Sequence, residues 1–273
     1  GVLNMMVGAA SAFNFDATIS ANTTNYNLTT AMTAAGWNGI DRVIATVTVN
    51  SGVYVGSTSI STPALTVGTL PTASTVSIVN NGYIIGMGGA ANGGAGGPAL
   101  TIGYATTITN NNVVGGGGGG GGYGCGAGAF DGDVSYSYMY GGGGGGGAGY
   151  NVGTGGAISG TRQNAVIAFR SATNGSNGTN TAGGAGGQGD YGFAFGVSPN
   201  TYMAGGGGGS GGSLGVAGSS GGDGSWDGED GFAYPRVRNP SAQAGGAAGY
   251  CTTTGSNAYI TWAVTGTRYG TLG

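Results

Sequence analysis

Histidine and lysine are absent from this 273-residue chain, glutamate occurs once, and charged residues make up only 5%. Without histidine there is no side chain poised to act as a base near neutral pH, and without lysine no amine nucleophile. A phosphate-binding loop would also need its lysine, and no Gly-x-Ser-x-Gly elbow falls between a strand and a helix. Gly-x-Gly-x-x-Gly matches recur by force of composition alone. These gaps argue against an enzyme. A net charge of −3 gives no electrostatic reason to expect nucleic acid or an anionic membrane as partner. Six prolines and the lack of a strict Gly-X-Y period exclude collagen. No apolar run approaches the roughly 20 residues of a membrane span, and the first twelve residues lack the basic stretch of a signal peptide. Cys125 and Cys251 are too few for a disulfide framework and lack CxxC metal spacing. One bond between them and two buried free thiols are both open.

What the chain has is glycine, 70 residues of it, with only seven in residues 1–81. Unbroken runs occupy 115–122, 141–147 and 205–209. Each interior glycine costs a helix about 1 kcal/mol relative to alanine, so no α-helix survives there. A conventional strand would have no side chains to pack. Flexible linkers and disordered chains are polar or highly charged; here the runs alternate with Tyr, Phe, Trp, Val and Ile, which favours order. An extended helix with three residues per turn gives the tracts a physical use. Eight residues span roughly 25 Å, and helices without side chains can pack hexagonally, bonding backbone to backbone. A lone tract would leave every backbone group unsatisfied, so several must pack together. Seven qualify, at 86–97, 115–124, 141–149, 183–189, 205–212, 215–224 and 245–249.

The N-terminal third reads differently. Residues 27–40 can hold one short helix, with Gly36 as its cap. From Val43 the pattern turns to strand. Val43–Val49 runs into Asn50-Ser51-Gly52, residues 75–79 into Asn80-Asn81-Gly82, and residues 106–109 into Asn110-Asn111-Asn112. Each corner is followed by a short apolar stretch and glycine. Asn50, Asn80 and Asn110 are thirty residues apart, twice. Such a repeat implies either stacked turns of a β-solenoid or a meander of hairpins. Residues 258–266 return to a strand-like pattern, expected to pack on the glycine-rich part.

Aromatic inserts separate the glycine tracts. Tyr136, Tyr138 and Tyr140 alternate, as do Phe193 and Phe195, so each set shares a face of an extended segment. Tyr202 precedes Met203, and Trp226, Phe232 and Tyr234 fall in one insert with Arg236 and Arg238. Tyr, Trp and Arg anchor binding surfaces, and Tyr/Ser/Gly/Asn loops make adaptable ones. The alternative is that these rings cover the edges of a slab that has no side chains of its own. Asp223, Asp227 and Asp230, with Glu229, are the best metal candidates, since oxygen ligands on glycine-rich turns suit calcium. Asp131 and Asp133 make a weaker pair, and a solvated turn is the bland reading of both. No other cofactor is expected.

Residues 76–89, Val-Ser-Ile-Val-Asn-Asn-Gly-Tyr-Ile-Ile-Gly-Met-Gly-Gly, then Gly97-Pro98-Ala99-Leu100 and 110–118, resemble the strand-to-polyglycine region of tailed-bacteriophage tail-tip and receptor-recognition proteins. The ending 259–270 resembles the close of such domains. Polyglycine tracts alternating with aromatic inserts are similar to the tail-fibre adhesins of T-even phages, whose distal loops contact the host outer membrane. The resemblance implies a virion tail protein, acting outside the cell on a surface protein or glycan, with other tail proteins as partners and several copies per particle. The expected fold is all-β with non-regular structure. It comprises a repetitive module over 1–114, solenoid-like or a meander, a packed polyglycine-II bundle with long surface loops over 115–257, and a C-terminal strand and tail over 258–273. The inserts would carry recognition through Tyr136, Tyr138, Tyr140, Phe193, Phe195, Tyr202, Trp226 and Tyr234. A purely structural tail or capsid decoration protein is the first alternative. An extracellular ice-binding or matrix protein is the second, and it calls for a flat face of Thr or Ala at fixed spacing.

Overall fold

The computed structural model describes residues 11–131, 135–159, 166–194, 202–227 and 242–273. Three successive turns of the chain each lay one strand on three different sheets. The first turn is β1 (Phe13–Ile19), β2 (Thr23–Thr24) and β3 (Tyr26–Asn27). After helix α1 (Leu28–Ala34), the second is β4 (Val43–Val49), β5 (Tyr54–Gly56) and β6 (Leu65–Val67). The third is β7 (Thr75–Asn80), β8 (Tyr83–Ile85) and β9 (Leu100–Ile102), after which β10 (Thr106–Asn110) and β11 (Val113–Gly115) continue two of the faces. Every contact between turns is parallel and near one repeat in register, as in Val76↔Thr106 and Tyr83↔Val113. A hairpin meander would pair its strands antiparallel. The repeat is a β-solenoid.

Alternation along each strand fills its interior. Val47, Ile78 and Ile108 form one buried column, Val55, Ile84 and Val114 a second, and Leu65 and Leu100 a third. The expected helix is present. The Asn27 side chain accepts the Thr30 N–H at 3.1 Å, Leu28 and Met32 are buried, and Gly36 follows the end at φ +100°.

The thirty-residue spacing of the corner asparagines needs one correction. Asn80 pairs with Asn110, but the residue beneath Asn80 is Val49, not Asn50. The first corner is wider. Residues 50–53 separate its two strands, closed by a Val53 N–H to Asn50 carbonyl bond and by left-handed Gly52, whereas 81–82 suffice in the next turn. Asn50 therefore sits outside the stack.

Chain leaves the solenoid at one corner in every turn, between the second face and the third. The excursion is residue 25 alone in the first turn, 57–64 in the second and 86–99 in the third. In the fourth it is 116–251, the whole remainder of the glycine-rich region. Among its described residues that excursion carries six short strands: β12 (Gly128–Asp131), β13 (Ser135–Tyr138), β14 (Val166–Arg170), β15 (Tyr191–Ala194), β16 (Tyr202–Ala204) and β17 (Ser225–Asp227). The chain then re-enters the third face as Thr252, bridged parallel to Leu100. A last layer follows, with β18 (Ile260–Val264) on β10, β19 (Thr267–Tyr269) on β11, and Leu272 bridged to Thr252. The strand over 258–266, expected on the glycine-rich part, instead pairs with β10 in the solenoid; beyond it, Tyr269 does accept the Gly116 N–H. Arg268 occupies the register position of core Val114, and its guanidinium lies 4.8 Å from the Trp262 ring centre, a cation–π contact that closes the stack.

The glycine tracts run side by side. Tract 116–125 has six neighbours, and its hydrogen bonds rotate among them with period three. Gly117 and Gly120 donate to Gly97 and Gly94. Gly118, Gly121 and Gly124 donate to Ala148, Gly145 and Gly142, and Gly119, Gly122 and Cys125 donate to Val216, Ser219 and Gly222. Its carbonyls accept on the same rotation from 89–92, 206–212 and 243–249. Close approach makes glycine obligatory here: a Cβ on Gly120 would lie 1.8 Å from the Ala90 carbonyl oxygen. Segment 86–97 is two tracts, out and back. Residues 173–179 form a further one that glycine counting misses. Its Thr173, Ser176 and Thr179 hydroxyls accept from Gln188, Ala185 and Ala182 N–H, while Asn174 and Asn177 accept from Ile158 and Gly155. At the rim of the slab, side-chain oxygens replace the carbonyls that a further neighbouring tract would supply.

Candidate functional site

The tracts have two unlike ends. At the solenoid end the connections are short: Gly116 N–H bonds Tyr269, Tyr150 N–H bonds Gly86, and Gly215 N–H bonds Gly116. Tyr150 packs there beside the stacked pair Tyr54 and Tyr83, whose ring centres are 4.4 Å apart. At the other end, backbone bonds join Gly141 to Ser159, Thr173 to Gln188, Gly206 to Cys125, and Cys125 to Gly222. The four long inserts, 126–140, 159–172, 190–204 and 223–242, all open at this end.

Within the inserts, β12 and β13 form an antiparallel hairpin pairing Phe130 with Tyr136 and Gly128 with Tyr138. Strands β14 to β17 form a four-stranded antiparallel sheet. One cross-strand row is Ile167, Phe193, Tyr202 and Asp227, and the next is Ala168, Gly192, Met203 and Trp226. Met203 is fully buried, and Tyr191, which shares the alternate face with the Phe193 row, is exposed.

The register thus brings Phe193 and Tyr202 side by side and sets Trp226 in the alternate row, while Tyr136 and Tyr138 stand on the separate β12–β13 hairpin. Tyr140 is half-buried at the hairpin's base, where its N–H donates to the Asp190 carboxylate at 3.0 Å. Phe195, Tyr234 and Asp230 lie outside the described residues. Asp223 is exposed at a tract end and Asp227 stands in β17; among the described residues no three metal-ligating side chains come together.

The two cysteines are free and buried, so the disulfide is not formed. Cys251 donates to the Val114 carbonyl where the chain re-enters the solenoid, and Cys125 stands at the insert end beside Asp223 and the Gly224 N–H. An extended tract of that length separates them by roughly 30 Å, far beyond disulfide reach. Burial, opposed in part by Arg268, pushes the Cys251 thiol up to about 12.

Sequence reasoning missed Asp190, the buried carboxylate at the foot of the inserts. Its signal is modest: an aspartate ending a glycine tract directly before an aromatic segment. The threonine face that ice binding calls for exists in part. Thr46, Ser77, Thr107 and Thr261 share a row, and so do Thr18, Thr48 and Thr109, but Asp16 heads the first and Val79 interrupts the second.

No curated protein matches the chain. The crystal structure of the gp37-gp38 adhesin tip complex of the bacteriophage S16 long tail fiber is similar, with a TM-score of 0.54 and 22% identity over 95% of this chain and 82% of that one. At that identity the likeness speaks to the fold. The family model for the phage tail fibre adhesin Gp38 matches residues 14–273. Spanning nearly its whole length, that match makes the chain a member of the Gp38 family of phage tail fibre adhesins, a tail component that acts on the host from outside the cell.

Proposed function

We propose that the four inserts are the receptor-contacting surface of this adhesin and that the glycine tracts are polyglycine-II helices whose role is to hold those inserts rigidly. The observation that carries the reading is that all four inserts leave the slab at one end, opposite the solenoid. A three-residue rotation of hydrogen bonds among six neighbours is the pattern that polyglycine II requires. Rigid elements that collect variable segments at one end make a good binding architecture. Tyr136, Tyr138, Tyr140, Phe193, Phe195, Tyr202, Trp226 and Tyr234 supply apolar anchoring area on an outer-membrane protein or glycan. The solenoid, at the opposite end, is the part free to join the fibre, and several copies per particle add avidity. Residues 11–115 with 252–273 then serve as the attachment module, and 116–251 as the presenting one.

The test replaces these eight aromatic residues together by serine and measures adsorption of the assembled phage to its host. Adsorption should fall by at least about tenfold, as expected when binding anchors are truncated. Particles that carry the variant at normal occupancy and adsorb like wild type would remove the inserts from recognition.

A further inference from the structure

Asp190 ends tract 182–190 with its side chain wholly buried. One of its carboxylate oxygens accepts the Tyr140 N–H at 3.0 Å, and the other accepts the Ala172 N–H. Its own N–H donates to the Tyr140 carbonyl at 2.9 Å, and its carbonyl accepts from Gly205 at 2.8 Å. These partners are the feet of different inserts. Tyr140 closes 126–140, Ala172 closes 159–172, and Asp190 and Gly205 bracket the segment between them. The fourth insert joins through the pairing of β16 with β17.

A carboxylate suits this junction because it is acceptor only, with two oxygens to give to two donors from separate segments. Hydrogen bonds to a charged acceptor are also stronger than neutral ones. Asparagine would turn a donor toward one of the two N–H groups. Alanine would leave both N–H groups buried without that partner.

We infer that Asp190 is a positioning residue for host recognition: it fixes three inserts in one mutual arrangement, so that they meet the receptor as a single surface. The inference rests on the proposed role of the inserts. It predicts a local effect, since the tracts beneath keep their own bonds.

The test compares full-length wild type, Asp190→Asn and Asp190→Ala by amide hydrogen exchange and by phage adsorption. In Asp190→Ala the amides of 126–140, 159–172 and 190–204 should exchange at least roughly tenfold faster, while 116–124 stays as protected as in wild type. Adsorption should fall with it, and Asp190→Asn should lie between. Insert amides that keep wild-type protection would overturn the assignment of Asp190, whatever adsorption does. Equal acceleration across 116–124 would overturn it too, by making the residue a general support of the slab. Loosened inserts with wild-type adsorption would instead sink the recognition role of the inserts, and the functional half of this inference with it.

Discussion

Asn80 donates its side-chain N–H to the Oδ1 of Asn110 at 2.8 Å, one turn up the solenoid and thirty residues along the chain. The same amide bonds the Val113 carbonyl at 3.0 Å, its Oδ1 accepts the Gly82 N–H, and Asn110 passes the arrangement on to the Thr265 carbonyl. Both asparagines are fully buried. Asn80→Ala strands several polar groups in the interior and should cost about 2–4 kcal/mol. Asn50→Ala, outside the stack, should cost under about 1 kcal/mol. Denaturant titration of the two variants distinguishes them, and equal losses would contradict the register.

Alanine scanning of the slab should follow distance rather than composition. A Cβ on Gly120 meets the Ala90 oxygen at 1.8 Å, whereas one on Gly207 meets nothing nearer than 3.5 Å. Gly120→Ala should lose about 3 kcal/mol or fail to fold. Gly207→Ala should stay within about 0.5 kcal/mol of wild type. Thermal melts of both proteins suffice to check this.

The rim tract should depend on its side chains. Replacing Asn174 and Asn177 together by alanine uncovers the N–H groups of Ile158 and Gly155. Those amides should then lose protection from hydrogen exchange, with a stability loss of about 1–2 kcal/mol, small because water can reach the rim. Unchanged protection would mean that other acceptors serve them.

Alkaline pH should expose the buried thiol. Cys251 titrates at about 12 in the folded protein, against an ordinary value of 9.0. Below pH 9 both folded and unfolded chains keep the proton and the group has no effect on stability. Between pH 9 and about 12 the unfolded chain releases its proton first, so stability falls as pH rises, by up to about 1.4 kcal/mol per unit. Cys251→Ala should flatten that part of the pH–stability curve; a variant as steep as wild type would assign the slope to other groups.

Much of this was legible from residue patterns. Alternation located β4, β7 and β10, and turn residues located the corners between the first and second faces. The third face was overlooked although its signal is present: Pro63-Ala-Leu-Thr-Val-Gly68 and Pro98-Ala-Leu-Thr-Ile-Gly103 are near copies. Their strands are only three residues long, too short for a period to be read. Glycine counting found most tracts but not 173–179, because a rim tract needs oxygen-bearing side chains on two of every three residues. Asp190 could not be singled out, since its significance lies in meeting Tyr140 and Ala172, which no local pattern brings together. The return of β18 and β19 to the solenoid is equally non-local, joining Thr106 to Ile260.

That return has a consequence in time. Tract 116–125 leaves the ribosome with only the neighbours within 86–97 already made. The rest are contributed by 141–149, 205–213, 216–222 and 243–249, the last of them more than a hundred residues further along the chain. Until then most of its amides have only water to bond, in a segment whose only side chains are those of Tyr123 and Cys125. Folding of the slab is therefore a late and concerted event, with the high contact order that makes such steps slow. A chain stopped short of residue 243 would hold a partly stacked solenoid and an unformed slab, unable to show its inserts to a host.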